Sequence, residues 1–354
     1  MITNLKAYGE TVGVHVKRRN QMTEETKTFK ILSIDGGGIK GLYSATILAE
    51  FEKKFDCHIS DHFDMLCGTS TGGLIALALA LRVPASEICD FYIKDGPLIF
   101  PSKTKLSRIY RFIKQILWKG KYSDKELKIA LNKMFGNKTI GDSNNLLCIP
   151  SYTITEARPF VFKKDHHDLD RDNGVKIVDA ALATSAAPTY FPLSEIEYYE
   201  NKQFIDGGVW ANNPTLLGLL EALNYFVGKD KEYDNLKILS ISSLSITGGK
   251  PTGLKRQRSF LNWGNDLFET SMTGQSFFTD FFMQKIQNIS DIQIDYLRVP
   301  SVEVSSQQES LIQLDIATKK ALRLIKGKGK DQADIYKKKK EIQDFFKTEK
   351  TYKK

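Results

Sequence analysis

Three short stretches of this 354-residue chain set small residues around a group that can do chemistry. Gly68-Thr69-Ser70-Thr71-Gly72 fits G-x-S-x-G between the apolar runs FDMLC (63–67) and LIALALAL (74–81). A chain that leaves a strand and enters a helix this quickly turns so sharply that only small neighbours fit, and the serine hydroxyl is pushed out at the carboxyl end of the sheet. The same context puts Ser70 at the positive end of a helix dipole, where developing negative charge is stabilised. The competing reading is a plain helix N-cap with Thr69 or Ser70 as the capping oxygen.

The second stretch, Asp35-Gly36-Gly37-Gly38-Ile39-Lys40-Gly41, has two uses. Gly36, Gly38 and Gly41 satisfy G-x-G-x-x-G between a strand and a helix, and Asp61 lies 20 residues past Gly41, as a dinucleotide-binding unit requires. Against this, Asp35 would face the pyrophosphate, and the second strand begins after Asp61 instead of ending there. No Gly-Lys-Ser/Thr closes a P-loop. The other use is an oxyanion hole, in which the bare backbone N–H groups of Gly36, Gly37 and Gly38 point at the negative oxygen of a tetrahedral intermediate.

A serine nucleophile needs a base. The five histidines (His15, His58, His62, His166, His167) sit in irregular or acidic contexts, none at a strand end with a tight loop. Asp206-Gly207-Gly208 is such a place, after the apolar Phe204-Ile205, and its carboxylate can take the Ser70 proton directly. The bland alternative is a turn aspartate capping its own backbone. An unperturbed aspartate titrates near 3.9 and a histidine near 6.5, so an aspartate base predicts no histidine-like acidic limb in a pH–rate profile. The exception is desolvation that raises Asp206 toward neutrality, in which case replacing the five histidines separates the two.

These groups need strands and helices to hold them. Phe29–Ile34 reads as a strand and Gly41–Phe55 as a helix. Phe63–Cys67 followed by Leu74–Leu81 repeats the arrangement, with a helix so apolar that it must be internal. Leu146–Thr155, Arg158–Phe162, Gln203–Ile205 and Leu236–Ser242 read as further strands, with helices near Lys176–Ser185 and after Pro214. Alternating strands and helices predict an α/β fold of three layers, its central sheet mostly parallel and covered on both faces. Lys103–Lys121 reads as a basic amphipathic helix. From Ser259 onward the pattern is helical, and Gly327 and Gly329 mark a break before a last helix. The expected partition is an N-terminal segment 1–28, a catalytic domain 29–245, and a helical C-terminal extension 246–354 with a basic tail.

Composition excludes several classes. With 41% hydrophobic and 26% charged residues the chain can bury a core. The formal charge of +9 is local: Lys319–Lys354 holds 14 Lys/Arg against 5 Asp/Glu, which leaves 37 of each sign before it. The body is therefore neutral, and DNA or RNA is not an expected partner; the tail suits an anionic membrane or a solvated helix face. The longest apolar run is too short to span a bilayer and the start carries no signal-like core, so a cytoplasmic protein is expected. Four cysteines without a CxxC pair read as reduced thiols. Asp168-x-Asp170-x-Asp172, with Asp179 at the twelfth position, mimics a calcium loop, but its glycine comes late at Gly174, so it reads as a solvated loop and no metal is expected.

Taken together, DGGGIKG, GTSTGG and DGG in this order, with ATSAAPTYFP (183–192) and ANNP (211–214), resemble the patatin-like phospholipase family over residues 30–243. The resemblance implies a Ser-Asp dyad needing no cofactor. Ser70 would be the nucleophile, Asp206 the base, Gly36 to Gly38 the oxyanion loop, and Gly41, Gly68, Gly72, Gly207 and Gly208 the motif glycines. The family often carries Arg where this chain has Lys40. LSIDGGGIKGLYSA, FDMLCGTSTGGLIALALAL and FYIKDGPLIF resemble in particular the bacterial members that act as effectors in cyclic-oligonucleotide (CBASS) antiphage defence. That resemblance implies a membrane phospholipid substrate, a cyclic dinucleotide activator, a homo-oligomer on activation, and peripheral association with the inner membrane. Lys255, Arg256, Arg258, Trp263 and Phe268 are candidate nucleotide-binding groups, since basic and aromatic side chains suit phosphates and bases. They equally suit an ordinary helical surface, which is the favoured reading. The rival readings are a dinucleotide-dependent oxidoreductase and a non-catalytic nucleotide-binding signalling or storage protein. A further expectation is that deleting Gln332–Lys354 weakens vesicle binding and spares a water-soluble ester.

Overall fold

The computed structural model describes residues 26–101, 121–245 and 266–353, with isolated positions between 252 and 263. In chain order the elements are β1 (Thr28–Ile34), α1 (Gly41–Phe55), β2 (Met65–Gly68), α2 (Thr71–Ala80), α3 (Ala85–Lys94), α4 (Lys125–Phe135), β3 (Leu146–Thr153), β4 (Arg158–Lys163), α5 (Ile177–Ser185), β5 (Ser194–Ile196), β6 (Lys202–Asp206), α6 (Thr215–Glu221), β7 (Asn235–Ile241), α7 (Asp266–Ile286), β8 (Ile294–Val299), α8 (Lys319–Tyr336) and α9 (Lys340–Phe345). The strands form one sheet in the order β5-β6-β3-β2-β1-β7-β8, with β4 also paired to β3. The pairs from β3 through β2, β1 and β7 to β8 are parallel, while β4 and β6 on β3 and β5 on β6 are antiparallel.

Strand β1 shows why helices cover both faces. Its side chains alternate, so Phe29 and Ile31 enter the core under α6 and α7, while Leu32 and Ile34 enter the larger core under α1, α2, α3, α5 and α8. Helix α2 has every residue buried, which matches its lack of a polar face.

The C-terminal region departs from its expected form. It supplies β8, paired parallel to β7 from Leu236↔Ile294 to Ile241↔Val299, so it belongs to the same sheet. The helical reading missed β8 because only Ile294 and Val299, its first and last residues, are buried, and no alternation shows. Gly327 and Gly329 do not break the chain but lie within α8. A Cβ at Gly329 would stand 2.8 Å from the Tyr43 carbonyl oxygen, so glycine there lets α8 pack closely on α1.

The basic tail is also built in. Phe345 and Phe346 are buried, and Phe346 stacks on Phe55 at 4.4 Å between ring centres. Lys30 Nζ donates to the Thr348 carbonyl at 2.6 Å, and the Asp64 carboxylate accepts the backbone N–H groups of Thr351 at 2.9 Å and Tyr352 at 2.7 Å. The boundary at 245/246 is thus not a break in packing. Deleting Gln332–Lys354 would remove the core side chains Ile342, Phe345 and Phe346, so loss on a soluble ester and on vesicles alike becomes the expected outcome. The basic helix expected at Lys103–Lys121 lies, except for Lys121, outside the described residues, as does most of segment 1–28.

Candidate active site

Ser70 follows β2 by two residues and precedes α2, with φ 53 and ψ −123. This is a sparsely populated conformation for a residue with a Cβ, and such strain is held only where the surroundings over-determine it. The glycines do this. A Cβ at Gly68 would lie 2.1 Å from the Gly72 carbonyl oxygen, and one at Gly72 would lie 2.2 Å from that of Ile34, so bare backbone is required at both motif positions. Ser70 N–H donates to Thr184 Oγ1 at 3.0 Å, and Thr184 in turn donates to the Pro150 carbonyl at 2.6 Å.

The capping alternative does not describe this turn. Ser70 makes no side-chain cap to α2, and the Thr69 hydroxyl donates to the Ala211 carbonyl at 2.6 Å. The Ser70 side chain instead lies beside the Asp206 carboxyl and favours its charged form. Register explains the meeting. Strand β4 fills one edge of β3, so β2 and β6 share the other. Strand β2 pairs there as far as Cys67↔Cys148, and beyond its end β6 takes over with Asp206 opposite Ser151, the level Ser70 reaches three residues after Cys67. Strand β6 runs antiparallel to β3 and so delivers Asp206 from the opposite direction.

Asp206 is 2% exposed and Ser70 8%. Burial raises the Asp206 pKa to about 7, against the opposing pull of hydrogen bonds from Ser70 and from the Gly208 N–H at 2.7 Å. An aspartate in this setting titrates where histidine does, which removes the expected contrast in the acidic limb. Gly207 is required because a Cβ there would stand 2.3 Å from the Pro150 carbonyl oxygen. Among the described residues no histidine lines this cleft. His166 is bound to Glu221 at 2.9 Å and His62 to the Thr348 carbonyl at 2.9 Å, both elsewhere.

The three loop glycines divide. Gly36 N–H donates to the Asn212 carbonyl at 3.0 Å and so is committed to the scaffold. Gly37 and Gly38 line the cleft, and among the described residues no hydrogen bond is recorded from either N–H. Gly38 has φ +58 with Leu314 carbonyl oxygen 2.3 Å from where its Cβ would be, and that same oxygen accepts Ile39 N–H at 2.9 Å. A Cβ at Gly41 would stand 2.2 Å from Thr71 Oγ1, so the loop and α2 touch through bare backbone.

Asp35 does not face the cleft as a pyrophosphate partner or opponent would. Arg298 of β8 grips it, with Nη2 at 2.5 Å from Oδ2 and Nη1 at 3.2 Å from Oδ1. Burial raises the Asp35 pKa, and the Arg298 guanidinium opposes that rise. Lys40 is buried and stands 3.8 Å from Glu269 of α7, tying the loop to that helix. Sequence reasoning named neither Arg298 nor Leu314 and gave Thr184 no role. Thr184 lay within ATSAAPTYFP and could have been flagged; Arg298 is 263 positions from Asp35 and carries no local motif.

Beyond the polar end, the cleft wall is apolar, with Leu74, Phe91, Ile99, Leu127, Phe191 and Met272 among its lining. The arrangement is fit for acyl transfer from an ester with a long apolar chain to a serine hydroxyl. The acidic loop plays no part in it. Asp172 is buried rather than solvated, accepts Lys163 N–H at 2.8 Å and pairs with Arg171 at 2.5 Å, and among the described residues no group of acidic, Cys or His side chains is placed to hold a metal. The four cysteines are free. Of the candidate nucleotide-binding groups, Lys255 and Arg258 lie outside the described residues, and Phe268 lines the acyl cleft.

A serine placed between a glycine loop and a buried carboxylate on a mostly parallel sheet defines an α/β ester hydrolase. The family model for patatin-like phospholipase matches residues 32–219, and the chain belongs to that family: it is a lipid acyl hydrolase. It is 32% identical over 308 residues to a cGAMP-activated phospholipase of Pseudomonas aeruginosa (strain BWHPSA011 / Pa011), covering 86% of this chain and 88% of that protein. To the cGAMP-activated phospholipase of Escherichia coli (strain TW11681) it is 29% identical over 337 residues, covering 90% and 92%. To Patatin-like protein 2 of Oryza sativa subsp. indica it is 35% identical over 232 residues, covering 59% and 56%. The oxidoreductase and storage readings are set aside. No helix among the described residues is long and apolar enough to cross a membrane.

Proposed function

We propose that this protein hydrolyses the acyl ester bonds of membrane glycerophospholipids with Ser70 and Asp206, and that a cyclic dinucleotide switches it on in antiphage defence. Support for the chemistry comes foremost from one observation: a strained Ser70, beside the buried Asp206, stands at the polar end of an otherwise apolar cleft. Asp206 accepts the proton as Ser70 Oγ attacks the ester carbonyl carbon. The carbonyl oxygen becomes an oxyanion, met by the N–H groups of Gly37 and Gly38 and by the N-terminal end of α2. Collapse expels the lysolipid alkoxide, which takes the proton back from Asp206. Water then attacks the acyl-serine with Asp206 again as base, releasing the fatty acid and restoring Ser70.

Activation by a cyclic dinucleotide is supported by the names of the bacterial relatives, which match this chain over most of its length. The test is fatty-acid release from phospholipid vesicles with and without cGAMP, alongside fluorophosphonate labelling. Labelling that maps to Ser70 and release that rises with cGAMP are expected. Release that persists in Ser70→Ala refutes the nucleophile, and release indifferent to a panel of cyclic dinucleotides refutes the switch. Phage plating on cells carrying the wild-type or Ser70→Ala gene tests the defence role.

A further inference from the structure

Helix α7 has two unlike sides. Its inner side belongs to the site: Phe268 and Met272 line the cleft, Gln275 Oε1 accepts Asn213 N–H at 2.8 Å, and Asn212 Nδ2 donates to Ser276 Oγ at 2.9 Å. Its outer side is a row of rings in water. Phe277, Phe278, Phe281 and Phe282 are 65%, 63%, 59% and 38% exposed, and exposed Leu267 and Ile289 continue the row at either end. Scattered surface apolar residues need no explanation, but four phenylalanines within two turns form a contiguous patch, and such patches mark interaction surfaces.

The charges sort with the rings. Glu269 is turned toward Lys40, and Asp280 accepts the Tyr296 hydroxyl at 2.8 Å and the Gln284 amide at 3.1 Å. Among the described side chains from Leu267 to Ile289, no exposed one is a carboxylate, and the cation Lys285 lies 5.5 Å from the centre of the Phe281 ring. Exposed aromatics with a base and no acid complement an anionic lipid surface, where rings enter the headgroup boundary and a lysine stem reaches back to the phosphates.

We propose that the outer face of α7 is the surface by which this protein meets an anionic bilayer, with Phe277, Phe278, Phe281 and Phe282 entering the headgroup–acyl boundary. This rests on the membrane-phospholipid reading above and assigns it a surface. The helix then lies in the plane of the interface, and its inner side forms part of the wall of the acyl cleft. One rigid element thereby couples docking to substrate entry, and the lysine-rich C-terminus, which is packed on the core, is not the docking device.

The test places one reporter in the row. Phe278→Trp is made in a Ser70→Ala background, with Ser70→Ala alone as the control for the native tryptophans, and cGAMP is present throughout. Vesicles of phosphatidylglycerol and phosphatidylcholine are expected to shift the added emission to the blue, and brominated acyl chains to quench it. In the active enzyme, Phe278→Ser/Phe281→Ser/Phe282→Ser is expected to lower vesicle partitioning by about tenfold or more, because three rings lose apolar burial. Vesicle hydrolysis should fall with it, while turnover of a short-chain soluble ester stays. An added indole indifferent to saturating vesicles overturns the proposal. So does an indole that becomes shielded without lipid as protein concentration and mass rise together, which assigns the face to a second copy of the chain. Quenching by vesicles that the wild type cannot hydrolyse leaves this face standing and refutes the catalytic reading; wild-type hydrolysis with a silent indole does the reverse.

Discussion

Helices α2 and α7 both border the cleft, and their apolar residues serve opposite ends. In α2 the sequence TGGLIALALA is buried on all sides, with Ser70 at its amino end. In α7 the large apolar residues Leu267, Phe277, Phe278, Phe281 and Phe282 face outward. Burying apolar surface in α2 stabilises the fold by about 25 cal/mol per Å² removed from water, and that rigidity holds the serine in a strained turn. The rings of α7 contribute little of that kind. The difference separates a helix that positions chemistry from one that offers a surface.

The largest effect should fall at the head of α2. Ser70→Ala and Asp206→Ala are each expected to lower fatty-acid release by about three to four orders of magnitude, and the double variant should be no worse than either, because nucleophile and base act as a unit. Full release in Asp206→Ala, with loss in a histidine variant, would replace the dyad with a triad. Within α2, Leu77→Ala should cost about 2–5 kcal/mol in urea unfolding, since Leu77 is fully buried and a cavity remains. A smaller cost would mean that α2 is not the rigid partner in the comparison.

A third effect follows from Asp206. Its folded pKa of about 7 lies above the unfolded value near 3.9. Below about pH 4 the carboxyl is neutral in both states and carries no penalty. Between pH 4 and 7 the unfolded chain ionises first, so stability falls, and above 7 the penalty levels off at about 4 kcal/mol. Asp206→Asn should therefore raise the melting temperature more at pH 8 than at pH 5 while removing activity. In the wild type kcat/KM should drop about tenfold per unit below pH 7, and the limb should persist when each histidine is replaced by glutamine in turn. A limb that disappears with one histidine would assign the base there. The smallest effect belongs to α7: Phe278→Ser should change stability in lipid-free buffer by no more than about 0.5 kcal/mol, the scale of surface substitutions. A cost like that of Leu77→Ala would show that the ring is packed.

Much of the site was legible because it is local. A turn between β2 and α2 needs Gly68 and Gly72 whatever surrounds it, and DGG after an apolar pair marks a carboxylate at a strand end. The same locality misled at Gly327 and Gly329, which lie inside α8 and do not break it; at Gly329 glycine serves the contact of α8 with α1. It also misled at Lys319–Lys354, where the excess of lysines concealed the buried Phe345 and Phe346.

Patterning and small-residue spacing pointed by themselves to the α/β class, the sharp serine turn, the glycine loop and Asp206 as the candidate base, since each depends on neighbours within a few residues. Tertiary structure alone decided the rest. That Asp206 titrates near 7 follows from burial, which is a property of the whole fold around a carboxylate. Register across β2, β3 and β6 brought Ser70 level with Asp206. Which loop glycines keep a free N–H depended on Asn212 claiming that of Gly36, and the anchoring of Asp35 on Arg298 depended on a strand 263 residues away. Such contacts leave no periodic trace, because they are made between segments that meet only when the sheet has formed.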